Sequence, residues 1–192
     1  SLGYVGRIHE GLGEGEKALE YYIRFMEIME SLVKKEPGRT DWQRELGVSL
    51  GYVGRIHEGL GEGEKALEYY IRFMEIMESL VKKEPGRTDW QRELGVSLGY
   101  VGRIHEGLGE GEKALGYYRR TLEIRRLLVE KEPRVIDRHI GLASALLDMF
   151  RVTEDEDKKR EFIQEAQSIT KSLVDDGVKH RELNVLRSIF SL

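Results

Sequence analysis

The stretch Gly11-Leu12-Gly13-Glu14-Gly15-Glu16-Lys17-Ala18-Leu19 sets glycines at alternate positions ahead of a lysine, and it recurs verbatim at 59–67 and 107–115. Such a pattern is raw material for a phosphate cradle, where backbone N–H groups and an ammonium meet the anion. The neighbours oppose that chemistry. A phosphate loop places glycine directly before the lysine and Ser or Thr directly after it. Here Glu64 precedes Lys65 and Ala66 follows it, and Glu62 adds a second repelling carboxylate. The stretch therefore reads as a turn between two helices. His9, His57 and His105 also recur once per copy. A metal needs several ligands converging at about 2 Å, and no other soft ligand shares their face, so they read as packing histidines and no metal site is expected. The chain contains no cysteine, which excludes disulfide and thiolate chemistry. No asymmetric set of nucleophile, base and orienting group stands out. The expectation is a protein without catalysis and without a cofactor.

The elements that must position these residues follow from the repeat. Residues 1–48 and 49–96 are identical, and identity at this offset continues to Leu115 before breaking at Gly116, where earlier copies carry Glu. A period of this size marks a stack of units that bury their faces on one another. Verbatim copies suit a ladder of equal surfaces. Each unit reads as two helices. Helix A is expected from Asp41 to Leu60, opened by a capping box of Thr40 and Gln43, with Trp42, Leu46, Leu50, Val53 and Leu60 on its apolar face. Gly61-Glu62-Gly63 ends it, with glycine in the left-handed conformation. Helix B is expected from Glu64 to Lys83, with Ala66, Tyr70, Phe73, Met74, Met77, Leu80 and Val81 as its stripe. The pairs Glu68–Arg72 and Glu78–Lys82 lie four apart on it, and Pro85-Gly86 stops it. Gly47, Gly51 and Gly54 inside helix A each cost about 1 kcal/mol relative to Ala. Close approach of a neighbouring helix is the expected compensation.

The second helix, Ala66-Leu67-Glu68-Tyr69-Tyr70-Ile71-Arg72-Phe73-Met74-Glu75-Ile76, resembles that of the tetratricopeptide repeat, whose pattern is approximately A-[IL]-E-Y-Y-x-x-[AF]-[LM]-E-[IL]. The family's small residue falls on Gly54, its inter-helix glycine on Gly61, and its bulky helix A positions on Leu50 and Val53. His57 stands where the family has an aromatic. The usual period is 34 residues; here it is 48. The extra seven residues per helix are nearly two turns at 3.6 residues each, so both stripes stay in phase and the same pair stacks as a taller unit, similar to long repeats of prokaryotic signalling proteins. The resemblance implies an all-α, right-handed α-α superhelix, with near-identical repeats over 1–132, the first truncated, and a degenerate repeat with a C-terminal capping helix over 133–192. Ile136–Arg151 and the stripe Phe162, Ile163, Ala166, Ile169 and Leu173 read as the degenerate pair, separated by the charged stretch Thr153–Arg160, and Lys179–Leu192 reads as the cap.

In this family helix A builds the concave wall. Transferred by register, its exposed positions are Val48, Gly51, Tyr52, Arg55, Glu58 and Gly59. The implied partner-binding set is Tyr4, Arg7, Glu10, Val48, Tyr52, Arg55, Glu58, Tyr100, Arg103 and Glu106. The arginines suit acidic groups or a phosphopeptide, and the tyrosines supply flat contact area. The alternative is that Arg55 pairs with Glu58 on a solvated face and Tyr52 packs on its neighbour. The Lys and Asn of the family's chaperone-tail clamp are absent from Gly51 and Tyr52, so that ligand is not expected. A net charge of −4 disfavours nucleic acid, which needs a basic footprint. No apolar run approaches the ~18 residues of a membrane span. The expected partner is a protein or peptide bound in the groove of a cytoplasmic scaffold. The alternative is a self-associating or sensor segment of a larger regulatory protein. Ser1 matches Ser49, inside a helix, so the chain is expected to be a fragment, with Leu2 and Val5 underpacked or covered by another molecule.

Overall fold

The spacing of apolar residues decides where helices form, and the glycine turns decide where they stop. In a computed structural model describing residues 2–192, α1 spans Leu2–Gly11, α2 Gly15–Lys35, α3 Thr40–Gly59, α4 Gly63–Lys83 and α5 Thr88–Gly107. They are followed by α6 Gly111–Lys131, α7 Ile136–Val152, α8 Glu156–Asp175 and α9 Arg181–Phe190. Ser1 and its expected mid-helix placement lie outside the described residues. No helix among the described residues is long and apolar enough to cross a membrane. The residues group into two compact units, 1–104 and 105–192, so the division falls inside α5.

In the first unit the helix A and helix B stripes interlock. Leu50 and Val53 of α3 and Tyr70, Met77 and Leu80 of α4 have no exposed surface. The turn between them is a Schellman closure. Gly61 sits at φ +77°, its N–H donates to the Glu58 carbonyl at 3.0 Å, and the Glu62 N–H donates to the His57 carbonyl at 2.9 Å. Both orphan carbonyls are thereby satisfied. Leu60, expected on the apolar face, is 54% exposed. It lies past the last helical residue, and Ile56, 7% exposed, takes its place in the core.

Two other local expectations are corrected. Thr40 does not cap α3, because the chain turns helical at Thr40 itself and Arg39 is the cap residue, with no side-chain cap bond. Instead Gln43 donates through Nε2 to the Pro37 carbonyl at 2.6 Å, and Arg39 holds Asp41 with two bonds of 2.9 and 2.7 Å while lying 4.4 Å over the Trp42 ring. Arg72 does not turn to Glu68 along its own helix. It donates to Glu30 of α2 at 2.5 Å, because the neighbouring second helix brings a carboxylate within its reach. Gly47, Gly51 and Gly54 do lie where a neighbour comes close. A Cβ on Gly47 or Gly51 would stand 3.1 Å from the Phe73 ring, and one on Gly54 2.7 Å from the Tyr70 ring.

In the second unit, Tyr118 and Leu122 of α6 pack with Leu142, Leu146 and Met149 of α7 and Ala166 of α8. The charged stretch is largely helical. Asp155 caps α8, accepting from the N–H groups of Asp157 and Lys158 at 3.0 and 3.1 Å, and α8 begins at Glu156, before the apolar stripe. The last helix is shorter than expected, beginning at Arg181 after His180 as its cap. Its Leu183 and Leu186 pack on Ile140, Ala143 and Leu173.

Candidate functional site

Glu58 stands in the last turn of α3, and two side chains converge on it from different helices. Tyr70 of α4 donates its hydroxyl to Oε2 at 2.7 Å. Arg103 of α5 donates through Nε to Oε1 at 2.6 Å and through a terminal nitrogen to Oε2 at 2.7 Å. Glu10 is held the same way, by the Tyr22 hydroxyl at 2.8 Å and by Arg55 at 2.6 Å. In the second unit Glu106 accepts from Tyr118 at 2.6 Å and from Arg151 at 3.0 and 3.2 Å. Each arginine lies 45 residues beyond its glutamate. The glutamate in its own helix, three residues on, is not its partner. A 48-residue period less one helical turn gives that offset, so the pair crosses from one repeat to the next.

The rings complete the clasp. Tyr52 stacks on Tyr22 with centroids 4.8 Å apart, and Tyr100 meets Tyr70 at 4.7 Å. Arg55 lies 5.3 Å over the Tyr52 ring and Arg103 4.9 Å over Tyr100. Burial, reinforced by the bond to Glu58, pushes the Tyr70 hydroxyl far above its ordinary pKa. Burial alone would raise the Glu58 carboxyl, but the hydrogen bonds from Arg103 and Tyr70 outweigh it and hold the group below its ordinary value. A carboxylate fixed by a phenol and a guanidinium is a joint.

The pair α5–α6 is where the comparison with known sequences falls: residues 97–131 match the family model of the tetratricopeptide repeat. Residues 97–131 form a tetratricopeptide repeat. No curated protein matches it in sequence. Among solved structures it is similar to BtubC (BKLC) from P. vanneervenii, with a TM-score of 0.69 and 16% identity over 94% of this chain and 65% of that one. It is also similar to the apo form of RapI, with a TM-score of 0.68 and 16% identity over 91% of this chain and 56% of that one. The chain thus spans less than two thirds of either structure. A Podosopora anserina putative kinesin light chain with nearly identical TPR-like repeats follows, with a TM-score of 0.53 and 16% identity over 97% of this chain and 80% of that one. At these identities the likeness is one of fold: an all-α solenoid of helix–turn–helix repeats.

The expected site residues separate into groups. Glu10, Arg55, Glu58 and Arg103 form clasps in the first unit, and Glu106 forms the clasp of the second. Tyr52 and Tyr100 stack behind them, and Val48 lies one turn before Tyr52. On α1, Tyr4 is 58% exposed and Arg7 lies 5.7 Å over its ring. Leu2 and Val5 are half-buried, whereas Leu50 and Val53 are fully buried. Gly51, expected on the exposed wall, is buried beneath the Phe73 ring. His57 is buried, lies parallel to Tyr69 at 5.4 Å and shares a 2.5 Å contact through Nδ1 with Glu62.

Three residues of the wall escaped the sequence reading. Arg44, Arg92 and Glu93 line a cavity of about 230 Å³ with Val48, Tyr52, Arg55 and Tyr100. The signal was present: 44, 48, 51 and 55 continue one helical face with spacings of four, three and four. Arg44 lies in the turns added to the 34-residue motif, where the family register gives no guidance.

Proposed function

We propose that the chain is a non-catalytic protein-interaction scaffold that presents the face of its first helices to a peptide or a partner helix. One observation carries this reading. The clasps and ring stacks fix Tyr52, Arg55, Tyr100 and Arg103 in repeated poses, so the wall is ordered before a partner arrives and less freedom is lost on binding. Beside them a polar cavity indents that same face.

Selection of displayed peptides on the intact chain tests it. Arg55→Ala is a poor probe, since it also opens the joint between repeats. Val48→Glu and Val96→Glu alter the wall outside the clasps. Selected peptides are expected to bind these variants about tenfold or more weakly, with unchanged helical circular dichroism. Failure to enrich any peptide, or equal binding by the variants, refutes the reading. A second reading is contact between arrays. A molecular mass rising with concentration is its expected signature.

A further inference from the structure

The residues lining the cavity between α3 and α5 include three whose buried polar atoms the protein leaves unpaired. The Nε–H groups of Arg44 and Arg55 and the Oε2 atom of Glu93 are buried and bonded to no protein atom. The cavity's volume of about 230 Å³ is below the ~300–1,000 Å³ of small-molecule sites, so it takes a single side chain. We propose that this cavity is a subsite for one neutral amide side chain, glutamine or asparagine, of a bound partner. The proposal rests on the reading of the first-helix face as a partner surface and names what that surface selects.

Charge decides among the candidates. Arg44 is held by Glu93 and, at 2.9 Å, by Glu45. Arg55 is held by Glu10 at 2.6 Å, and Arg92 lies 3.8 Å from Glu93. The guanidinium groups of Arg44, Arg55 and Arg92 thus face the carboxylates of Glu10, Glu45 and Glu93, and the cavity wall carries both signs of charge. A ligand carboxylate would satisfy the two free donors but would be driven against Glu93, whose side chain is only 6% exposed. A ligand ammonium would satisfy Glu93 but would meet the guanidinium groups. A carboxamide offers an oxygen to the Nε–H donors and an NH₂ to Glu93 Oε2, with no charge to oppose either. Tyr52, Tyr100 and Phe73 flank its methylene stem. The side chains of Arg44, Arg55 and Arg92 are 32–44% exposed. A rotamer shift of Arg44, which takes no part in a clasp, admits the amide.

At the next register toward the C-terminus Ile140, Gly141 and Asp148 replace Arg92, Glu93 and Tyr100, so the degenerate repeat does not rebuild the set.

The test uses the full chain with Nα-acetyl-glutamine methylamide and the corresponding glutamate and lysine compounds, following the arginine Nε–H resonances by NMR. The glutamine compound is expected to shift Arg44 and Arg55 saturably, binding about tenfold or more tightly than the other two. In Glu93→Gln the repulsion of carboxylate is removed, so the glutamate compound should close most of that gap. If this variant does not fold, the wild-type order of affinities decides alone. Glutamate binding as well as glutamine, or no shift with any compound at roughly 100 mM, overturns the proposal; the latter result means that the cavity holds solvent. Selected peptides that lack Gln and Asn and ignore Glu93→Gln overturn the amide subsite while leaving the scaffold reading in place.

Discussion

Replacing Gly54 by Ala sets helix propensity against packing, and the two pull in opposite directions. Alanine in a helix interior is worth about 1 kcal/mol more than glycine. The added Cβ, however, would stand 2.7 and 2.8 Å from two carbons of the Tyr70 ring and 3.3 Å from the Ala66 carbonyl oxygen. Carbon atoms prefer about 3.5–4.0 Å, so the ring must move by nearly an ångström. Tyr70 is fully buried, and its hydroxyl is tied to Glu58 at 2.7 Å, so it has no free direction. Overpacking of this kind costs about 1–3 kcal/mol, and loosening a hydrogen bond to a carboxylate adds part of a further ~1.5–3 kcal/mol. The net expectation is a loss of about 1–3 kcal/mol, or roughly 3–9 °C in melting temperature for a chain of this size, read by far-UV circular dichroism. Gly116→Ala is the control. It lies inside α6 with nothing within 4 Å of the new Cβ, so it should stabilise, by up to about 1 kcal/mol. If Gly54→Ala melted at or above the parent temperature, the close-approach argument would be wrong.

The clasp predicts strong non-additivity. Glu58→Ala strands the Tyr70 hydroxyl and the Arg103 guanidinium together, and a double-mutant cycle with Arg103→Ala should give a coupling energy of about 1–3 kcal/mol in urea unfolding; a value near zero would mean that the pair does not join the repeats. The buried tyrosines predict a loss of stability in alkali. Burial, with the bonds to their glutamates, pushes Tyr22, Tyr70 and Tyr118 well above the ordinary 10.0. The folded state then keeps protons that the unfolded chain releases, so this stabilisation is whole below pH 10 and drains as pH rises toward the folded values. Ultraviolet titration should find three of the nine tyrosines ionising only as helix is lost, and nine tyrosines titrating together in folded protein would contradict it.

The period, the two stripes and the glycine turn were legible because each depends on residues within one helix or one turn. Gly61 had to be left-handed, and it is. The capping box failed for an equally local reason: the chain became helical one residue early, which removed Thr40 from the cap position and left Gln43 free to reach Pro37. What could not be read was anything set by the neighbouring repeat. Glu93 is buried beneath Arg44, a partner 49 residues earlier that reaches it across the gap between first helices. Pairing of Arg55 with Glu10 rather than Glu58 has the same origin. The three-residue lateral offset between adjacent first helices belongs to packing, and no single unit encodes it.

That offset also explains why the wall is built on arginine. Arg55 gives one terminal nitrogen to Glu10, rests over the Tyr52 ring and keeps a buried Nε–H with no protein partner. A guanidinium is planar, with five donors in a fixed fork, so one head can brace a joint on one edge and offer a donor on another. Lysine, a point charge on a flexible stem, could hold Glu10 only by giving up the stack and the second donor. Cohesion between repeats and recognition at their face therefore meet in the same side chain. An occupant of the cavity that bonded Nε would steady the Arg55–Glu10 pair, so affinity for it and stability of the joint would rise together by linkage.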